Sequence, residues 1–187
     1  GAKGQIEICL IKISGNVEIV QPLVKVEEVV LPELHAGGRT PIGKSIEDVI
    51  ELIEDKSIVP DRAYTPIIIL ISDGIPTDIT QEMYEKMPLN KAQYLEWEPI
   101  KKLHNSERSK KCMRLSLGIG KDADFEMLKA FINKDNVPVI KAEEVPTIAK
   151  FFEWVTMSVS QRSVSANPNQ FEDIPFDDLF PDDALVL

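Results

Sequence analysis

The stretch 66-PIIILISDGIPTD-78 decides the fold class of this 187-residue chain. Its first part is a continuous apolar run in which isoleucine dominates, and such a run is typical of a strand buried on both faces of a parallel sheet. Asp73 follows directly, at the carboxyl end of the predicted strand. Because ligands of open α/β sheets bind outside the carboxyl ends of the strands, the stretch also predicts the sheet edge at which a site is expected.

Strand-like and helix-like patterns alternate on both sides of this run. Apolar residues at helical spacing predict a helix over residues 41–55, and a second buried strand is predicted over 112–120. The other predicted segments are a hairpin of 5–14 and 17–23 turning at Gly15-Asn16, a short element and loop over 24–39, a loop over 74–91, an interrupted helix over 92–110, a helix over 123–133 capped by Asp122 or Asp124, a strand over 137–142 and a helix over 145–162. This alternation predicts an α/β fold, a Rossmann-like three-layer sandwich with a mostly parallel central sheet and an antiparallel edge hairpin.

Composition and charge narrow the classes of function. The chain is 43% apolar and 28% charged, which is ordinary for a globular protein, and its net charge of −10 disfavours nucleic acid as a partner. No apolar run reaches the length of a membrane span, and the first ten residues lack the layout of a signal peptide. Cys9 and Cys112 lie in apolar runs, so we expect buried free thiols and a cytoplasmic location rather than a disulfide.

The last residues differ in composition from the rest. We predict one domain over residues 1–162 and a tail over 163–187. The tail is rich in Asp, Glu, Pro and Phe and contains no Lys or Arg after residue 162. Such a segment is either disordered or docked through its aromatic side chains, and we expect docking.

The stretch 38-GRTPIGKS-45 matches the phosphate-loop pattern G-x-x-x-x-G-K-[ST]. A phosphate loop needs a buried strand before it, whereas Pro32, Glu33 and His35 precede this one. Thr40-Pro41 is a strong helix start, which would place the Gly-Lys-Ser inside the first turns of the helix, where it cannot wrap a phosphate. Nucleotide binding through Lys44 therefore remains an alternative and not the preferred interpretation.

A metal site explains more of the same residues. The Thr40 hydroxyl, exposed at a helix N-terminus, and the Asp73 carboxylate, at the end of a buried strand, are both hard oxygen ligands. If the two converge at the sheet edge, they suit Mg²⁺, which accepts oxygen ligands and keeps several waters.

The order of motifs resembles a von Willebrand factor A-type (VWA) domain, and more narrowly the bacterial cytoplasmic branch that includes tellurium-resistance-associated proteins. The resemblance covers about residues 4–162 and rests on four segments: IEICLIKISGNVEIVQPL (6–23), GGRTPIG (37–43), IIILISDGIPTD (67–78) and LSLGIGKDADFEMLKAFI (115–132). It implies a protein-binding module with a metal-ion-dependent adhesion site, in which Thr40 and Asp73 help to hold Mg²⁺, or Mn²⁺ or Ca²⁺, and the cation accepts a carboxylate from a partner protein. It also implies a role in bacterial stress or metal resistance.

The chain departs from the family pattern in one respect. The family's site also uses a D-x-S-x-S loop after the first strand, and residues 1–187 contain none; the nearest sequence, 55-DKSIV-59, follows a helix and lacks the second serine. The resemblance therefore implies a domain without the family's first strand and first helix. We expect metal affinity to be weak or absent in this chain.

The remaining candidate residues have simpler interpretations. Asp78 is expected to cap the segment that follows it, Ser72 and Thr77 to form a turn, and His35 to lie in an exposed loop. Segment 79–97 is a candidate partner-binding rim because it carries four residues of types common at interfaces: Met83, Tyr84, Met87 and Tyr94. No set of nucleophile, base and orienting residue is present, so we expect no enzyme. A metal-independent structural scaffold is the third alternative.

Overall fold

The structure, a computed structural model that describes residues 4–31, 33, 37–169, 176 and 178–187, begins with a β-hairpin. Strands β1 (Glu7–Ser14) and β2 (Asn16–Lys25) pair antiparallel, as the sequence predicts. They turn at Gly15, whose φ of 72° is a left-handed conformation that a residue without a Cβ adopts at little cost.

The central sheet has four strands among the described residues. They are β3 (Ile67–Ser72), β4 (Met113–Ile119), β5 (Val139–Ala142) and β6 (Leu185–Val186). The spatial order follows the chain order, with the first three strands parallel and β6 antiparallel to β5. The mostly parallel sheet of an α/β protein is thus confirmed, and it is compatible with a Rossmann-like fold.

The hairpin is not part of the central sheet, which corrects the prediction of an edge hairpin. Within the described ranges β1 and β2 form a two-stranded sheet of their own, and no backbone ladder connects them to β3. The hairpin is instead attached at its ends, where the Gly4 amide donates to the Ser163 carbonyl (3.0 Å) and the Gly15 amide donates to the Arg39 carbonyl (2.6 Å).

This arrangement also corrects the prediction that β3 is buried on both faces. Ile68 and Leu70 are buried in the core, but Ile71 is 38% exposed. The physical reason is that Ile71 shares a face of the sheet with Ile67 and Ile69, which are themselves only half-buried, so this face is incompletely covered at β3. Among the described residues, β3 is also the last strand of the central sheet on this side, with β4 as its partner. Its sequence is that of an inner strand, although its position is that of an edge.

Six helices accompany the strands in the described part of the chain. They are α1 (Ile42–Glu54), α2 (Gln81–Glu85), α3 (Lys91–Leu95), α4 (Glu98–Asn105), α5 (Phe125–Ile132) and α6 (Val145–Val164). The short helix α2 lies in a segment predicted to be a loop, and its cap is the Thr80 hydroxyl, which accepts from the Met83 amide (3.2 Å). None of the described helices combines the length and the apolar character needed to cross a membrane.

In the part of the chain that the structure describes, two apolar clusters pack against the two faces of the central sheet. One joins β3 to helices α1, α4 and α5 and includes Ile46 and Phe131. The other joins β4 to α6 and to the tail, where the ring centroids of Trp154 and Phe176 are 5.0 Å apart and Phe180 is also buried. The described part of the tail is therefore docked through its aromatic side chains.

Candidate functional site

The Thr40 segment and the loop after β3 meet at the carboxyl end of that strand. The Thr40 amide donates to Thr77 Oγ1 (2.9 Å), and the Thr77 amide donates to the Thr40 carbonyl (3.0 Å). This pair of bonds fixes the start of α1 against the loop that begins with Asp73. The predicted ligands Thr40 and Asp73 are 33 residues apart in the sequence. The two segments that contain them are thus bonded to each other at this edge of the sheet.

The side-chain oxygens of the two predicted ligands, Thr40 and Asp73, take no part in the hydrogen bonds that hold this edge together. Asp73 is exposed and Thr40 is half-buried. Within the described residues neither the Asp73 carboxylate nor the Thr40 hydroxyl has a hydrogen-bond or ion-pair partner, since the bonds of Thr40 are made by its backbone. Both oxygens are therefore free to bind a ligand.

Asp78 has a different role from the expected one. Its two carboxylate oxygens accept hydrogen bonds from the Gly43 amide (3.1 Å) and the Lys44 amide (2.8 Å), so it caps α1 and not the segment that follows it. The residue at the N-cap position of α1 is Pro41, whose side chain has no hydrogen-bond acceptor. The Thr40 side chain does not cap the helix either. A carboxylate is favoured here because free amides and the helix dipole make the N-terminus electropositive.

This cap bears on the phosphate-loop match. Gly43, Lys44 and Ser45 lie in the first turn of α1, and the first two amides are already engaged by Asp78. The Lys44 ammonium pairs with Asp48 one turn further along the helix. The groups that would hold a phosphate are therefore occupied by two carboxylates.

Gly43 of the same motif has a packing function. A Cβ at this position would lie 2.6 Å from Trp97 Cζ2 and 3.0 Å from the ring of Pro99. The glycine thus allows α1 to approach the start of α4, and its presence requires no bound phosphate. Trp97 is buried in this contact.

The Thr40 hydroxyl and the Asp73 carboxylate fit Mg²⁺ in the kind of their atoms but not in number. Within the described residues no group of three or more His, Cys, Asp or Glu side chains is placed to hold a metal ion. Thr40 and Asp73 supply a neutral and a charged oxygen, which fit Mg²⁺ or Mn²⁺ in kind, because Mg²⁺ is often held by one or two carboxylates and several waters. Two protein oxygens are few, so this chain by itself fits a weakly held cation.

Of the four residues that suggested a partner-binding rim over 79–97, three are buried or partly buried and are not fully available to a partner. Tyr94 is fully buried, and its hydroxyl donates to Asp124 Oδ2 (2.5 Å); burial, followed by this hydrogen bond, raises the pKa of Tyr94. Met83 and Met87 pack partly into the core, whereas Tyr84 is 65% exposed. The sequence did not show whether Tyr94 lies on the surface or in the core. Helix α3 has five residues, which is too short for an apolar pattern to show which of its faces is buried.

Other predicted residues fall close to their expected positions. Ser72 forms a turn, since its hydroxyl donates to the Gly74 carbonyl (3.2 Å), and Asp124 caps α5. Both cysteines are free, but only Cys112 is buried, and burial raises its pKa to about 11. His35 lies outside the described residues.

A comparison of the chain with protein-family models, with curated proteins and with solved structures gave no match.

Proposed function

We propose that this chain is a protein-binding module of the VWA type that uses a divalent cation to bind an acidic group on a partner. Thr40 and Asp73 hold the cation in this proposal, and the fold is the three-layer sandwich of that family. The observation that supports the proposal is the pair of hydrogen bonds between Thr40 and Thr77, because these bonds hold the start of α1 against the loop that begins with Asp73.

The protein groups have separate tasks. Asp73 contributes the charge that attracts a cation, and the Thr40 hydroxyl contributes a neutral oxygen beside it. Thr77 and Asp78 position these ligands, since they bind the backbone on either side of Pro41. Bound between these groups with open coordination positions, the cation would supply an electrophile for a carboxylate of the partner protein.

A complete site of this type requires a third loop. Residues 1–187 contain no D-x-S-x-S sequence, so the proposal expects weak cation affinity for these residues and stronger affinity when such a loop is supplied. By resemblance alone, the cellular role proposed is in bacterial stress or metal resistance.

Thermal unfolding tests the proposal. A ligand that binds only the folded state raises the unfolding temperature, and the rise increases with the ratio of the ligand concentration to its dissociation constant. Mg²⁺ and Mn²⁺ are compared with NaCl of equal ionic strength, so that a general effect of salt is not mistaken for binding. We expect a small rise for residues 1–187 and a larger one for a longer chain in which an apolar strand and a D-x-S-x-S loop come first. Asp73→Ala should remove the rise, whereas the control Asp122→Ala, an exposed carboxylate after β4, should keep it.

The same assay separates the alternatives. No rise in the longer chain would reject the adhesion site. A rise with ATP or GTP that Lys44→Ala abolishes would support the phosphate loop instead. No response to cations or nucleotides would leave the metal-independent scaffold.

A further inference from the structure

A cleft of about 260 Å³ opens beside the loop after β3. Its lining includes Ile75 of that loop and Phe125, the first residue of α5. Met87, Pro88 and Leu89 complete the apolar part of the lining. Ile75 is 48% exposed, so an apolar side chain is available to a ligand at the mouth of the cleft.

The rest of the lining is acidic. Asp122, Asp124 and Glu126 contribute carboxylates, and none of the described residues that line the cleft is basic. Asp124 accepts from the Tyr94 hydroxyl, and Glu126 pairs with Lys129 (2.5 Å), so these two carboxylates have internal partners. Asp122 is exposed and has no hydrogen-bond or ion-pair partner among the residues that the structure describes.

The walls of the cleft are held in place by internal bonds. Asp124 Oδ1 accepts from the Met127 amide (3.0 Å) at the start of α5, and Glu126 accepts from the Lys91 amide (2.8 Å) at the start of α3. The Phe125 ring packs over Gly118 of β4, where a Cβ would lie 2.7 Å from Phe125 Cε1. The wall formed by the start of α5 is therefore held in place before any ligand binds.

We propose that this cleft binds a segment of a partner protein in which an arginine stands next to an apolar residue. The apolar side chain packs between Ile75 and Phe125, and the guanidinium pairs with Asp122. Arginine fits better than lysine because its stem packs on apolar surface while its planar head binds a carboxylate through two hydrogen bonds. The net charge of −10 favours the approach of a basic segment.

This surface is separate from the proposed cation site in its residues and in the charge of its ligand. It involves neither Thr40 nor Asp73, and it needs no metal. The two proposals can therefore fail independently, since Asp73→Ala should leave the binding of a basic peptide unchanged.

The test uses the pentapeptide acetyl-Gly-Leu-Arg-Leu-Gly-amide and a matched peptide with citrulline, which has nearly the same shape but no charge. Each is titrated into the ¹⁵N-labelled protein in a metal-free buffer, and the amide chemical shifts are followed. The arginine peptide should give saturable shifts at Ile75, Met87 and Phe125. The citrulline peptide should bind roughly fivefold more weakly, as expected for loss of a partly exposed ion pair.

Two variants and one control locate the interaction. Asp122→Asn should weaken the arginine peptide by roughly the same factor of five and leave the citrulline peptide unchanged. Ile75→Ser should weaken both peptides, whereas Glu107→Gln, an exposed carboxylate outside the cleft, should affect neither. All three positions are exposed, so the spectrum of the folded protein should persist.

Several results would overturn the proposal. The proposal is wrong if the arginine peptide does not bind, if both peptides bind equally, or if the shifts are centred outside the cleft. It is also wrong if L-argininamide at equal concentration produces the same shifts. The last result would indicate a site for a small cation and not for a peptide segment.

Discussion

At the scale of single residues, Asp78 links the loop after β3 to the start of α1. It is the acceptor for two amides of that helix, Gly43 and Lys44. We predict that Asp78→Ala lowers the free energy of unfolding by about 1–2 kcal/mol, the range for loss of a helix cap, and that Asp78→Asn lowers it less because one acceptor oxygen remains. Urea unfolding measures both values. Asp122→Ala is the control, and an equal loss for that unpartnered carboxylate would show that the cap is not the cause.

His104 gives a residue-scale prediction for pH. Its Nε2–H donates to the Ala130 carbonyl (2.8 Å), and burial, assisted by the nearby charges of Arg114 and Lys91, lowers the pKa of His104 below 6.5. The neutral form is thus preferred in the folded state, so the unfolded chain binds more protons once the pH falls below about 6.5. The contribution of this group to stability is complete above that pH and is lost as the pH decreases towards the lower pKa of the folded state.

We therefore expect the free energy of unfolding to decrease more between pH 7.5 and 5.5 in the wild type than in His104→Gln. Glutamine retains an N–H donor for Ala130 but does not titrate. Urea unfolding at the two pH values provides the comparison. The same decrease in both proteins would assign the pH dependence to other groups.

The sequence predicts residue roles best where the partner is close in the chain. Asp124 precedes α5 directly and caps it as predicted, because an N-cap binds amides two or three residues later. Asp78 caps a helix about 35 residues earlier, and local spacing contains no signal for such a bond. The burial of Tyr94 likewise depends on α5, which is distant in sequence.

At the scale of elements, β3 combines the sequence of an inner strand with an edge position. Exposed apolar edges promote association between chains, and charged side chains on an edge suppress it. We predict that Ile71→Lys reduces light scattering of the concentrated protein and changes the free energy of unfolding by about 0.5 kcal/mol or less, because Ile71 is 38% exposed. Ile58→Lys is the matched control, since Ile58 is 42% exposed but lies in a turn. Similar effects of both substitutions would reject the edge as the cause.

Long elements with strong periodicity were predictable, and short ones were not. The apolar stripe of α1 and the isoleucine run of β3 gave both elements to within one or two residues. Helix α2 has five residues and strand β6 has two, which is too short for a periodic pattern. The separation of the hairpin from the central sheet depends on which strand edges meet, and strand composition does not contain that information.

At the scale of the whole molecule, the described tail is part of the packed structure. Phe180 is buried against Trp154, with ring centroids 6.4 Å apart, and β6 extends the sheet beside β5. We predict that Phe180→Ala lowers the free energy of unfolding by about 3–5 kcal/mol, the usual range for a buried phenylalanine. Leu179→Ala is the control in the same segment because Leu179 is exposed. Equal, small losses in urea unfolding would show that the tail is not held by Phe180.

The overall α/β class follows from the alternation of strands and helices, whereas the site depends on contacts between distant segments. Thr40 and Asp73 were identified from their places next to a helix start and a strand end. The segment that contains Thr40 is bonded to the loop after β3 through Thr77, a residue that the sequence presents only as a turn former. The two candidate ligands can thus be predicted from the sequence, whereas the hydrogen bonds between the segments that contain them cannot.

Paramagnetic broadening by Mn²⁺ shows whether Thr40 and Asp73 form a cation site, because it detects and locates weak cation binding. We predict that Mn²⁺ at low occupancy first broadens the amide signals of Arg39 and Thr40 and those of residues 72–74. We also predict that Asp73→Asn and Thr40→Val each reduce this broadening, whereas Asp122→Asn does not. Broadening that is centred on other carboxylates, or that persists unchanged in Asp73→Asn, would contradict a cation site formed by Thr40 and Asp73.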